Sequence, residues 1–141
     1  MIVSDGAAPA AASARDQVAA RPRTILLGED DAAVLRVATT ILEKGGYAVL
    51  AAADGATLLQ VFDSARDRID LVILDQHMPG PGADATLAAL RARQPSTRVL
   101  LTSGFTQPDV TAETRHFLRG FLGKPFRGGE LLHAVEEALS E

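Results

Sequence analysis

The feature that most restricts the fold is a repeat of rhythm rather than of residues. From Arg23 onward, five short apolar runs (24–29, 47–52, 69–74, 97–102 and 120–123) alternate with helix-like stretches. A run, a helix and another run in steady succession call for a parallel sheet, because right-handed crossovers return the chain to the same edge each time. The third run, Ile69 to Leu74, is nearly all apolar after Asp70 instead of alternating. Such a run suits a strand covered by helices on both faces.

The helical stretches carry their own start and stop signals. Asp31 is placed to cap a helix from about Ala32 to Lys44, in which Val34, Leu35, Ala38, Ile41 and Leu42 recur at helical spacing. Gly45-Gly46 stops it, since glycine takes the left-handed cap conformation without steric cost. Asp54 does the same capping work for the helix carrying Leu58, Leu59 and Phe62. Leu87, Ala88 and Leu90 mark a third helix that ends before Pro95, and Leu131, Leu132, Val135 and Leu139 mark the last. Between Thr106 and Arg119 the fourth is weakly patterned. The loop Met78-Pro79-Gly80-Pro81-Gly82 leads into the third helix. The expected fold is α/β, the flavodoxin-like doubly wound form with five parallel strands in the order 2-1-3-4-5.

Composition closes off several function classes. The chain has no cysteine, which excludes disulfides, thiolate metal sites and a cysteine nucleophile. Its net charge of -4 and its singly scattered Arg36, Arg66, Arg91 and Arg115 provide no basic stripe for nucleic acid. No stretch is long and apolar enough to span a bilayer. Residues 1–22 are alanine-rich but broken by Asp5, Arg15, Asp16 and Arg21, with Pro9 and Pro22 as punctuation. They lack the continuous apolar centre of a signal peptide and read as a flexible tail or linker ahead of one domain over 23–141. The expected setting is the cytoplasm, with no nucleic-acid partner and no membrane contact of the domain itself.

The ends of four runs carry the chemistry. They lead into Glu29-Asp30, Asp75, Thr102-Ser103 and Lys124-Pro125. In a parallel sheet these ends share one rim, the edge where open α/β sheets bind ligands. Singly, each has an ordinary reading: a turn-capping aspartate, acids favoured by a helix dipole, a turn hydroxyl, a solvated lysine. Together, three carboxylates exceed what one lysine offsets, and such a cluster raises a pKa or takes up a cation. Hard oxygen ligands of this kind suit Mg²⁺. His77 lies in a proline-flanked loop with no second histidine at ligand spacing, so its ring is not read as a dedicated ligand. His116 and His133 fall on helix-like stretches and read as surface residues.

Leu26-Leu27-Gly28-Glu29-Asp30-Asp31, Leu71-Val72-Ile73-Leu74-Asp75-Gln76-His77-Met78-Pro79-Gly80, Leu101-Thr102-Ser103-Gly104 and Gly120-Phe121-Leu122-Gly123-Lys124-Pro125-Phe126 together resemble the receiver domain of bacterial two-component response regulators. The similarity covers about residues 23 to 140. It implies that Asp75 accepts a phosphoryl group from a histidine kinase or histidine phosphotransfer protein. It further implies Mg²⁺ (or Mn²⁺) held by Asp30, Asp75, Glu29 and the backbone carbonyl of His77, with Ser103 and Lys124 on the phosphoryl oxygens. Phe121 would be an aromatic switch that follows Ser103. His77 and Phe105 would flank the path of the water that hydrolyses the phosphoaspartate, with the Phe105 ring shielding the bond. Pro81-Gly82-Ala83 departs from the usual loop, which continues toward an aspartate or serine and then glycine.

The implied output surface is the fourth helix, fifth strand and fifth helix around Phe117, Arg119 and Phe121, facing a downstream protein, with a homodimer left open. The Thr102-Ser103-Gly104-Phe105 segment looks somewhat more like receivers attached to hybrid sensor kinases than like stand-alone ones. Two other readings compete. An Mg²⁺-dependent aspartyl phosphatase would need a second aspartate where His77 stands, and a cap insertion. A pseudo-receiver binding module fits poorly with the complete set Glu29, Asp30, Asp75, Ser103 and Lys124.

Overall fold

Period-two alternation along the strands divides the buried side chains between two cores, one on each face of the sheet. The computed structural model describes residues 22–104 and 110–140; the expected tail up to Arg21, the hydrolysis-tuning Phe105 and Glu141 lie outside the described residues. The elements are β1 (Thr24–Gly28), α1 (Ala32–Lys44), β2 (Ala48–Ala52), α2 (Gly55–Ala65), a 3₁₀ turn (Arg66–Arg68), β3 (Ile69–Asp75), α3 (Ala83–Arg93), β4 (Val99–Ser103), α4 (Ala112–Phe117), β5 (Gly120–Gly123) and α5 (Gly128–Leu139). All strand pairs are parallel, in the order β2-β1-β3-β4-β5. The fold is the expected doubly wound sheet.

Ile25, Leu27, Leu71, Ile73 and Leu100 point to one face, where Ala38 and Leu42 of α1 and Leu131, Val135 and Ala138 of α5 meet them. Leu26, Val72, Leu74, Val99 and Leu101 point to the other, against Leu58 and Phe62 of α2 and Leu87 and Leu90 of α3. β3 lies at the centre of the order, and Leu71 to Asp75 are all buried. That double coverage is why its sequence does not alternate. Each fully buried leucine or isoleucine contributes about 2 kcal/mol through the hydrophobic effect.

Local signals act where the sequence puts them. Asp31 Oδ1 accepts from the Ala33 and Val34 N–H groups at 2.9 and 3.1 Å, and Asp54 Oδ1 accepts from Thr57 N–H at 2.7 Å. At the end of α1 the division of labour is finer than expected. Gly45 stays right-handed at φ -79°, and Gly46 makes the left-handed step at φ 97°. α4 is only six residues long, too short to display a helical apolar period. Among the described residues no helix is long and apolar enough to cross a membrane.

Candidate functional site

The rim at the carboxyl ends of the strands gathers five residues from four strand ends. Asp75 closes β3 and pairs in register with Thr102 of β4. Ser103 closes β4 and pairs with Gly123 of β5, and the Ser103 carbonyl accepts from the Lys124 N–H at 2.7 Å. Glu29 follows β1 directly, and its N–H donates to the Ala52 carbonyl at 3.0 Å. This backbone bond keeps Glu29 at the sheet edge although it has left the strand. Asp30, the next residue, is exposed.

Lys124 bridges the carboxylates. Its Nζ lies 2.7 Å from Glu29 Oε1 and 3.2 Å from Asp75 Oδ2. The Glu29 and Asp75 side chains are 3% and 4% exposed, and that of Lys124 is 21%. Glu29 Oε2 also accepts from the Asp31 N–H at 3.1 Å, and Asp75 Oδ1 accepts from the His77 N–H at 3.2 Å. The Lys124–Pro125 bond is cis. Ser103 is wholly buried, whereas His77 is exposed. Phe121 is half-buried and packs against the α2–α3 core.

The charge count explains the electrostatics. Burial pushes the Glu29 carboxyl above its ordinary value of 4.5; the hydrogen bonds from Lys124 and the Asp31 N–H oppose this, and the charge of Asp75 adds to it. Burial alone would lower Lys124, but the hydrogen bond to Glu29 and the charge of Asp75 outweigh it and hold the ammonium above 10.5. Two buried carboxylates therefore grip one ammonium, and burial leaves the Glu29 charge under-compensated. One carboxylate oxygen from each of Glu29, Asp30 and Asp75 lies within 4.8 Å of the others. Three hard oxygen donors with a net negative charge fit a small divalent cation.

Residues 25–136 match the family model described as the response regulator receiver domain. The chain belongs to that family. Among curated receiver-containing relatives, transcriptional regulatory protein GlrR of Escherichia coli is 33% identical over 122 residues, 86% of this chain and 27% of that protein. Sensor histidine kinase AruS of Pseudomonas aeruginosa is 34% identical over 120 residues, 80% of this chain and 12% of that protein. The chain thus spans about a quarter of the first and about an eighth of the second. The structure of chemotaxis response regulator CheY4 of Vibrio cholerae superposes with a TM-score of 0.75 at 26% identity, covering 84% of this chain and 99% of that one. Receiver domains are modules of two-component signalling; they work with kinases or phosphotransfer proteins and with downstream effectors, and they typically bind Mg²⁺ in an acidic pocket.

The rim brings together Glu29, Asp30, Asp75, Ser103 and Lys124, as the order of the strand ends suggests, and the His77 N–H lies against the Asp75 carboxylate. Gly28, which follows Leu27 at the end of β1, and Gly55, at the start of α2, pack closely against other parts of the chain. Their packing partners, Met78 and Thr86, are distant in sequence, and no local pattern announces such a contact.

Proposed function

We propose that this receiver domain takes a phosphoryl group onto Asp75 from the histidine of a kinase or phosphotransfer protein. The observation that carries the reading is the shared ammonium: Lys124 within 3.2 Å of the Asp75 carboxylate and 2.7 Å of Glu29, beside three clustered carboxylates. An Asp75 oxygen attacks phosphorus, the P–N bond of the phosphohistidine breaks, and its electron pair returns to the imidazole, which takes up a proton from solvent. A positioned carboxylate serves as such a nucleophile once its charge is offset. Lys124 and the Ser103 hydroxyl bind the phosphoryl oxygens and stabilise the charge spread over them in the transition state.

Glu29, Asp30, Asp75 and the His77 carbonyl would hold Mg²⁺ (or Mn²⁺). When bound, the cation supplies the positive charge that the rim lacks. After transfer, Ser103 turns toward the phosphoryl group, and the space it leaves is taken by Phe121. That local event shifts the α4-β5-α5 face around Phe117 and Arg119 toward the form a downstream protein recognises.

Intact mass after incubation with Mg²⁺ and acetyl phosphate or phosphoramidate tests the reading. One phosphate-sized gain that requires Mg²⁺ and is lost in Asp75→Asn is the expected result. No gain with any small donor or with a phosphorylated histidine phosphotransfer protein would overturn it.

A further inference from the structure

The loop from Asp75 to α3 rests on two glycines supplied by other parts of the chain. Met78 lies over Gly28 at the end of β1. A methyl group on Gly28 would come within 3.0 Å of Met78 Cε and 2.7 Å of Leu58 Cδ1, and Leu58 is wholly buried. On the other side of the loop, the Gly55 N–H at the start of α2 points to the Pro79 carbonyl at 3.4 Å. A methyl on Gly55 would stand 3.0 Å from Thr86 Oγ1 and 3.4 Å from Pro81 Cδ. Thr86 is buried on α3, so it has little room to retreat. Beneath the loop a cavity of about 10 Å³, lined by residues including Gly55, Asp75, Met78 and Thr86, leaves room for no more than about one water molecule.

This grip reaches the reacting carboxylate. The His77 N–H donates to Asp75 Oδ1 at 3.2 Å, and His77 is the residue immediately before Met78. A loop lifted off α2 would therefore carry the His77 backbone and the Asp75 carboxylate with it. We propose that Gly28 and Gly55 are positioning residues for phosphoryl transfer, holding the loop down so that Asp75 and the His77 backbone sit at the reacting geometry. The proposal rests on the transfer reading above. Closely packed interiors pass on displacements of this kind instead of absorbing them.

Gly55→Ala separates position from stability. Alanine has the higher helix propensity, so the helix itself does not suffer, while the Thr86 hydroxyl must give by a few tenths of an ångström. Misplacement by about 1 Å costs about 100-fold in such reactions, so about tenfold is expected here. The experiment measures the initial rate of acetyl phosphate labelling of the whole chain against Mg²⁺ concentration, with thermal unfolding alongside. Gly129→Ala is the control, because a methyl there meets nothing within 4 Å.

Gly55→Ala is expected to lower the labelling rate and raise the Mg²⁺ concentration for half-maximal rate, with Tm changed by less than about 4 °C. Adding Thr86→Ala, which removes the obstructing Oγ1, is expected to restore most of the rate. Wild-type labelling with an unaffected Gly55→Ala would overturn the positioning role alone. So would a loss that tracks Tm and resists Thr86→Ala. Wild-type protein that takes up no phosphate would overturn the transfer reading and this proposal together.

Discussion

Carboxylates form ion pairs with basic side chains in two regions of this receiver, with opposite consequences. On the flank between α2 and α3, Asp63 Oδ1 meets Arg93 Nε at 2.8 Å and Arg66 Nη2 at 3.1 Å. The three side chains are 45%, 32% and 39% exposed. There, two guanidiniums share one carboxylate in water, and the network is satisfied. At the rim, one ammonium is shared by two carboxylates that are almost wholly buried. Stoichiometry and burial, not the presence of a salt bridge, set the rim apart from the flank. The flank holds α2 to α3 and asks for nothing more; the rim keeps an unbalanced negative charge that a cation can answer.

The pKa directions express that contrast. Asp63 lies below the ordinary 3.8, chiefly through its hydrogen bond from Arg93, because cations outnumber it. Glu29 moves the other way, chiefly through burial. Exposed pairs of the first kind are screened by water and contribute little to stability. A pair of the second kind leaves an uncompensated buried charge if one partner is removed.

The largest break in the comparison is expected from neutralising one aspartate in each region. Asp75→Asn should abolish Mg²⁺-dependent labelling by acetyl phosphate, whereas Asp63→Asn should leave the rate within about twofold of the parent, since Asp63 touches nothing at the rim. Next comes removal of each cation. Lys124→Ala should destabilise the metal-free protein by about 3 kcal/mol in urea unfolding, and Arg93→Ala by no more than about 1 kcal/mol.

Mg²⁺ sharpens the comparison further. At about 100 times its Kd, it should stabilise the folded chain by about 2.7 kcal/mol. Thermal unfolding with and without EDTA reads this, and Asp30→Ala should remove most of the gain while Asp63→Asn retains it. The smallest effect is the acid response of the flank. Because the folded-state pKa of Asp63 is depressed, its contribution is fully present above the unfolded value near 3.8 and is lost as pH falls through the lower folded value. The stability difference between parent and Asp63→Asn should narrow over that window and also in high salt. A difference that widens on acidification would contradict the assignment.

Much of this was legible in advance, for local reasons. Apolar runs of strand length, the capping residues Asp31 and Asp54, and the chain-stopping Gly45-Gly46 act within a few residues of where they stand. The site was legible because parallel strands point the same way, so Glu29, Asp75, Ser103 and Lys124 at their ends had to share a rim. α4 was poorly marked because its place is set from outside. Asp84, on α3, accepts from the Thr111 N–H and hydroxyl at 3.1 Å each. Arg91 reaches Glu113 at 3.4 Å and lies over the Phe117 ring at 5.3 Å. These contacts join residues more than twenty positions apart, and no period in the sequence records them.

Alternation, caps and the order of loaded strand ends were thus determined by the sequence alone, because they depend on backbone geometry and nearest neighbours. Only the tertiary structure decided that Glu29 is buried while adjacent Asp30 is exposed, and that Lys124 serves two carboxylates at once. It alone decided that the loop after Asp75 rests on Gly28 and Gly55. Burial and charge balance are properties of everything that surrounds a group, and most of what surrounds these groups arrives from distant parts of the chain.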